Sequence, residues 1–408
     1  MTPSTKTDRL RDQVDRGLGR RRDASGRFVS ARAEEIASLC HTAAERFARG
    51  GRLLAVGCSA TARSDVRHVA VEFVHPVIVG KRALPAIGIT GQSGPVVDQL
   101  RLLLEPDDIV IAFGEAGENA ELESSVALAR ARGCLTVAFA PLGAEWELRP
   151  GSGDAFAEQE LVETTYHLLW ELVHVFFEHR GLLEGRLAQP VHDAGASSFL
   201  YPFLAEREHD LDAVLADVRA SVLMKAAEID DLREHTAGGG LDQLGNAAAA
   251  TRAALGRGAK VLALGNGGSA TDAMDLVADL LTPPAGSGWA PRRALDLTAD
   301  AAILTALGND IGSDAIFSRQ VIAYGAPGDV LVTFSTSGNS LSVLAALEEA
   351  RRRGLHTVAF VGYDGGRIVA ESLADEIVIA PSQHIPRIQE AQATAYHLFR
   401  ELIELESQ

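Results

Sequence analysis

The chain of 408 residues carries one module twice, and that duplication limits its fold more than any other feature. Gly50-Gly51-Arg52-Leu53-Leu54-Ala55-Val56-Gly57 recurs as Gly258-Ala259-Lys260-Val261-Leu262-Ala263-Leu264-Gly265. Pro106-Asp107-Asp108-Ile109-Val110-Ile111-Ala112-Phe113 recurs as Pro327-Gly328-Asp329-Val330-Leu331-Val332-Thr333-Phe334. Ala129-Arg130-Ala131-Arg132-Gly133 recurs as Ala350-Arg351-Arg352-Arg353-Gly354, each leading into a Thr-Val-Ala-Phe strand, and Thr165-Tyr166-His167 recurs as Ala395-Tyr396-His397. Each copy has roughly 200 residues, ample for its own core. A duplicated module lets one chain build a site that single modules would build at an interface, so what each copy has lost indicates which site remains.

Charge narrows the function classes. The formal net charge is −17, which argues against non-specific nucleic-acid binding. Anionic ligands stay open, because helix N-termini bind phosphate without Lys or Arg. Cys40, Cys58 and Cys134 form neither a CxxC pair nor a disulfide framework, which fits a reduced cytoplasmic setting. No apolar run approaches the ~20 residues needed to span a bilayer, and the N-terminus lacks the apolar core of a signal peptide. Residues 1–29 are polar, with Arg20-Arg21-Arg22 among them, and read as a frayed tail with a short first helix, or else as a docking arm.

Both copies alternate helix and strand, the pattern of a parallel sheet covered on both faces. Helices are predicted at 31–48, 121–132 and 161–179, with 68–74 on a further helix, and strands at 53–56, 84–89, 109–113 and 135–140. Copy two opens with helices at 206–235 and 241–257, broken by Gly238-Gly239-Gly240, and has a strand at 330–334. The fold class is α/β: two tandem doubly wound modules, each a five-stranded parallel sheet flanked by helices. The expected boundaries are a tail to 29, module one at 30–183, a linker at 184–203 and module two at 204–408. Ligands in such sheets bind beyond the C-terminal strand ends, where strand order reverses.

Two turns of copy two carry the chemistry. Its first strand runs into Gly265-Asn266-Gly267-Gly268-Ser269-Ala270-Thr271-Asp272, where glycines allow close backbone approach and the next helix offers N–H groups. Alone, such a turn is as often structural. The strand ending at Phe334 then leads into Ser335-Thr336-Ser337-Gly338-Asn339-Ser340. Four hydroxyls, an Asn and a Gly at a strand-to-helix turn make an anion-binding concavity, whereas a helix cap needs only one hydroxyl. Copy one has Gly114-Glu115-Ala116-Gly117-Glu118-Asn119 there, and its carboxylates repel phosphate.

These turns, with Gly308-Asn309-Asp310, Phe317-Ser318-Arg319, Asp364-Gly365-Gly366 and Arg387-Ile388-Gln389-Glu390, resemble sedoheptulose 7-phosphate isomerase (phosphoheptose isomerase), of the sugar-isomerase (SIS) superfamily, over about 241–404. Copy one resembles it more loosely over about 31–179. The resemblance implies aldose–ketose interconversion, with a glutamate base, a histidine acid and in many members a zinc ion held by a His and Glu four apart plus a Gln and His eight apart. It implies sugar-phosphate binding by Asn266, Gly267, Gly268, Ser269, Asp310, Ser335, Thr336, Ser337 and Ser340. In copy two Gln389 and His397 are present, but Asp275 and Asp279 replace the His and Glu, and Pro283 replaces an arginine. Asp279 would sit ~1.5 Å back from a glutamate base, and ~1 Å of misplacement can cost ~100-fold in rate.

Copy one keeps what copy two lacks. His68 and Glu72, four apart, share a helix face, and Gln159 and His167 are eight apart, in the register of Gln389 and His397. The resemblance makes His68, Glu72, Gln159 and His167 the Zn²⁺ ligands, a donor set that suits the metal, with Glu72 as base and His167 as acid; Asp279 and His397 are their counterparts. Thr61 to His68 is three residues longer than Thr271 to Asp275, which predicts a late helix start. Eight helical residues rise about 12 Å, so Gln159 either precedes the helix or serves a site other than that of His167. Each residue taken alone is as readily a solvated or core side chain. The expectation is a composite site, with the phosphate cradle from copy two and metal and proton transfer from copy one. A non-catalytic phosphosugar-binding or regulatory protein is the alternative, and an isomerase of another phosphosugar a third. The expected partners are a sugar phosphate and a second tandem chain in a homodimer, with no nucleic acid and no membrane.

Overall fold

The computed structural model describes residues 3–77, 81–114, 120–178, 183 and 210–405. The expected linker at 184–203 and the loop residues 115–119, with Glu115 and Glu118, lie outside the described residues. The helices of the first half are α1 (Pro3–Ala48), α2 (Ala60–Val74), α3 (Val96–Leu103), α4 (Ala120–Ala131) and α5 (Ala155–Glu178). The second half has α6 (Leu211–Gly239), α7 (Leu241–Gly256), α8 (Gly268–Leu281), α9 (Ala301–Asp310), α10 (Ser318–Tyr324), α11 (Leu341–Arg352), α12 (Gly366–Ala370) and α13 (Ile385–Ile403).

The strands form two all-parallel, five-stranded sheets. One is β1 (Leu53–Gly57), β2 (Ala86–Thr90), β3 (Ile109–Phe113), β4 (Leu135–Ala138) and β5 (Trp146–Glu147), in the order β2-β1-β3-β4-β5. The other is β6 (Val261–Leu264), β7 (Ala294–Asp296), β8 (Val330–Ser335), β9 (His356–Gly362) and β10 (Glu376–Ala380), in the order β10-β9-β8-β6-β7. Read within each copy, both orders are 2-1-3-4-5, with the switch point between the first and third strands. Leu53 lies opposite both Ala86 and Ile109, and Val261 opposite both Ala294 and Val330. The central strands are buried throughout because helices cover both faces, so they read as continuous apolar runs.

The chain divides into two compact units whose membership departs from the expected boundaries. The copy-one unit takes residues 24–154, 161–178 and 210–227; the copy-two unit takes 3–23, 155–160 and 228–405. The polar tail expected over 1–29 is instead helix from Pro3 onward. Val14, Leu18 and Arg21 are buried at helical spacing, and Val14 and Leu18 belong to the copy-two core with Leu244, Phe334 and Phe399. The break at Gly238-Gly239-Gly240 falls where expected, between α6 and α7. α2 begins at Ala60, so the late start predicted for the helix carrying His68 does not occur: the Ser59 hydroxyl accepts the Ala62 N–H and caps the helix at once.

Candidate functional site

The switch point of the copy-two sheet is flanked by the turns after β6 and β8, the two Gly/Ser-rich segments. The first requires glycine: a Cβ at Gly265 would lie 2.1 Å from the Ser269 carbonyl oxygen, and Gly267 has φ +57. No side chain caps α8; among its first N–H groups, those of Ser269 and Ala270 donate to the Asn266 and Gly267 carbonyl oxygens at 3.1 and 3.0 Å. At the corresponding end of α2 the Ser59 hydroxyl takes the Ala62 N–H.

Asn266 ties the two turns together. Its amide donates to Ser340 Oγ at 2.8 Å and to Ser342 Oγ at 3.0 Å. Within the second turn, the Gly338 N–H donates to Ser335 Oγ and the Asn339 N–H to Ser337 Oγ, both at 3.2 Å. The Asp364-Gly365-Gly366 motif clamps this turn from outside: a Cβ at Gly338 would meet the Gly365 carbonyl oxygen at 2.0 Å. Of the expected phosphosugar residues, Asn266, Gly267, Gly268, Ser269, Ser335, Thr336, Ser337 and Ser340 therefore lie on two turns that Asn266 joins. Asp310 ends α9, exposed, and accepts from the Asn309 amide at 2.7 Å.

The histidine of the copy-two unit is heavily engaged. His397 is fully buried on α13; its Nδ1–H donates to Glu160 Oε1 at 2.8 Å. Its Nε2 lies 3.6 Å from Oδ2 of both Asp275 and Asp279, which face it from α8. Glu160 also accepts from Arg21 Nε at 2.8 Å and from the Thr394 hydroxyl at 2.5 Å. Asp275 Oδ2 accepts from the Tyr396 hydroxyl at 2.6 Å and from the Gln159 amide at 2.5 Å. Burial alone would lower the His397 pKa; Asp275 and Glu160, with Asp279, reverse this and raise it to about 10. Burial and the neighbouring Asp275 push the Asp279 carboxyl well above its usual range.

The copy-one unit holds the other centre. His68 and Glu72 lie on one face of α2, both buried, with His68 Nε2 3.7 Å from Glu72 Oε1. His167, on α5, presents Nε2 to His68 Nε2 at 3.3 Å. The Tyr166 hydroxyl lies 3.0 Å from His68 Nδ1, and Glu163 Oε1 lies 3.9 Å from the same nitrogen. Burial and the adjacent His167 hold the His68 pKa well below its ordinary value. Burial lifts the Glu72 carboxyl to about 7; the His167 charge opposes this and that of Glu171 adds to it. A buried carboxyl poised near neutrality beside two imidazoles can accept and return a proton.

The SIS-domain family model matches residues 226–362. A phosphoheptose isomerase from a Geobacter species is 51% identical over 152 residues, 36% of this chain and 76% of that protein. One from Rhodospirillum rubrum is 44% identical over 161 residues, 40% of this chain and 84% of that protein. The chain belongs to the phosphoheptose isomerase family. Fold likeness reaches further along the chain. A tagatose-6-phosphate ketose/aldose isomerase from Escherichia coli matches 96% of this chain and 91% of its own at 14% identity and TM-score 0.54. The C-terminal domain of glucosamine-fructose-6-phosphate aminotransferase from Francisella tularensis matches 96% and 95% at 10% identity and TM-score 0.57. At those identities the likeness is one of fold alone.

For a phosphoheptose isomerase family member, the ligand set His68, Glu72, Gln159 and His167 comes out rearranged. Gln159 lies inside α5 but groups with the copy-two unit, where Asp275 takes its amide. Its amide is thus held by Asp275, whereas His167 stands against His68. Glu163 stands with His68 and His167 in a buried trio whose ligand atoms lie within 4.8 Å of one another. Its signal in the sequence is the spacing of four from His167, the same as His68 to Glu72. Glu160 is readable only as the counterpart of Glu390, and Arg21 gives no signal, because a charged residue inside a buried helical stripe looks like tail.

Proposed function

We propose that this chain is a phosphosugar isomerase whose proton transfer is carried by copy one and whose phosphate recognition is carried by copy two. The observation supporting this most strongly is the Glu72 carboxyl, buried beside His68 and His167 and held near neutrality. The substrate class follows from the family and from the hydroxyl-rich turns after β6 and β8, with a seven-carbon ketose phosphate of the sedoheptulose 7-phosphate type as the substrate to test first. Glu72 takes the proton from the carbon next to the carbonyl and returns it to the neighbouring carbon, while His167 serves the oxygen atoms. Ser335, Thr336, Ser337, Ser340, Asn266 and Ser269 with the α8 N-terminus hold the phosphate.

The residues of the copy-one centre suit a zinc ion: His68, Glu163 and His167 supply nitrogen and carboxylate donors, and Glu72 Oε2 is buried with no hydrogen-bond partner among the described residues. Zinc bound there would polarise the carbonyl and stabilise the enediolate. No helix among the described residues is long and apolar enough to cross a membrane; a cytoplasmic setting and pairing of tandem chains into a homodimer complete the proposal. The test is isomerisation of sedoheptulose 7-phosphate by the full chain. Glu72→Gln is expected to lose roughly 100- to 10,000-fold in kcat, and Ser337→Ala to raise KM. Full activity in Glu72→Gln would refute the assignment. Binding without turnover is the second reading, favoured in copy two by Asp275 and Asp279 at the reacting positions.

A further inference from the structure

The family resemblance places a divalent metal at the copy-one centre; copy two keeps Gln389 and His397 of that ligand pattern, but its residues do not suit a metal. Asp275, Asp279 and His397 invite that reading, because their ligand atoms lie within 4.8 Å of one another. Three features oppose it. The Asp275 Oδ2 atom that faces the imidazole already accepts two hydrogen bonds, from Tyr396 and Gln159. Glu160, which would otherwise push negative charge through the ring toward a cation, is neutralised by Arg21 at 2.8 Å, with Arg233 at 3.9 Å. Phe156, itself buried, lies flat on the His397 ring with centroids 4.4 Å apart and 16° between planes. Trp289 packs against Phe156 in turn and carries the Arg400 guanidinium 4.6 Å over its own ring.

We infer that the buried group in the copy-two unit is a closed salt cluster that keeps a proton on His397, a position of that ligand pattern, so this unit holds sugar phosphate without a metal and without a reacting centre. The cluster draws on two further segments: the start of α5, with Phe156, Gln159 and Glu160, and Arg21 of α1. The cations facing the carboxyl groups are then the chain's own, namely Arg21 and Arg233 toward Glu160 and the imidazolium toward Asp275 and Asp279. Nε2–H faces both aspartates at 3.6 Å, an ion-pairing distance rather than a hydrogen bond. With Nδ1–H donating to Glu160 and Nε2 facing two carboxyl groups, the ring is placed to carry both protons, and metal ligation would have to displace one of them. This inference rests on the proposed division of labour between the copies only for its phosphate-binding clause.

The test uses the full chain, stripped with chelator and titrated with Zn²⁺ against a chromogenic competitor. One tight equivalent is expected, retained in Asp279→Asn and lost in His68→Ala. No tight zinc in either unit would support the closed cluster while failing the metal proposed for copy one. A tight equivalent that survives His68→Ala and disappears in Asp279→Asn would overturn the inference. A second measurement needs no variant to fold well. In the ¹⁵N-histidine NMR spectrum of the unsubstituted protein at about pH 8, where an ordinary imidazole is neutral, His397 is expected to carry protons on both ring nitrogens. A neutral ring would overturn the inference.

Discussion

Arg21→Met tests whether the copy-two unit depends on a cation contributed from far along the chain. Arg21 is 2% exposed, donates to Glu160 at 2.8 Å and Glu401 at 3.1 Å, and reaches the Gly17 carbonyl oxygen at 3.2 Å. Methionine keeps much of the side-chain volume and removes the charge. Glu160 then remains buried with Thr394, His397 and the more distant Arg233 as partners. Removing one member of a buried ion pair costs about 3–5 kcal/mol, because the charge left behind is uncompensated. For amides that exchange through opening of this unit, that cost corresponds to roughly 100- to 4,000-fold faster exchange. Hydrogen-exchange mass spectrometry on α13 peptides reads it directly. Arg21→Met with Glu160→Gln is expected to recover part of the loss, since the orphaned charge is removed as well. A change in α13 exchange below about tenfold for Arg21→Met, or a double variant no better than the single, would show that Glu160 does not rely on Arg21.

Three further outcomes follow from the same geometry. Glu72 acts as base only when ionised, so the acid limb of kcat/KM should rise through about pH 7; a rate flat from pH 5 to 9 removes Glu72 from the step. Gly338→Ala forces a Cβ to within 2.0 Å of the Gly365 carbonyl oxygen at a φ of +63, and should raise KM at least about tenfold while zinc binding by His68 and His167 persists; an unchanged KM means the turn does not contact substrate. His397 is held at about 10 in the folded unit against ~6.5 unfolded. Its contribution to stability is therefore complete below about pH 6.5 and lost as pH rises through 10. Urea midpoints should fall over that window in the native chain and much less in His397→Gln, and parallel falls in both would assign the loss to other groups.

The fold was legible where burial leaves an unambiguous pattern. Strands β1, β3, β6 and β8 are covered on both faces, so they read as unbroken apolar runs, and the repeat fixed their equivalence. β5, two residues long, carries no such pattern. α1 escaped notice because its buried stripe of Val14, Leu18, Arg21 and Ser25 is half polar; an arginine there reads as solvent-facing until Glu160 and Glu401 are known to meet it. In the copy-one centre, His68 and Glu72 were readable from helical spacing. Helical rise left open that Gln159 and His167 part company, but not that Asp275 holds the Gln159 amide, because residues 155–160 group with copy two, a tertiary fact with no local mark.

One position accounts for much of the divergence between the copies. In register, Gln159-Glu160 corresponds to Gln389-Glu390, and Ala157 to Arg387. Arg387 and Glu390 pair within their own helix, at 2.8 Å and three residues apart, so the Glu390 charge is met locally. With alanine at 157 the same turn of α5 offers Glu160 no such arginine, and its charge is met by Arg21 and by the imidazole of His397. Asp275 and Glu160, with Asp279, raise the pKa of His397, whereas burial lifts the Glu72 carboxyl to about 7. A proton-transfer group must release its proton at working pH, and a salt cluster must not. On the proposed assignment, the partners of these buried carboxyl groups therefore separate a salt cluster from a proton-transfer group.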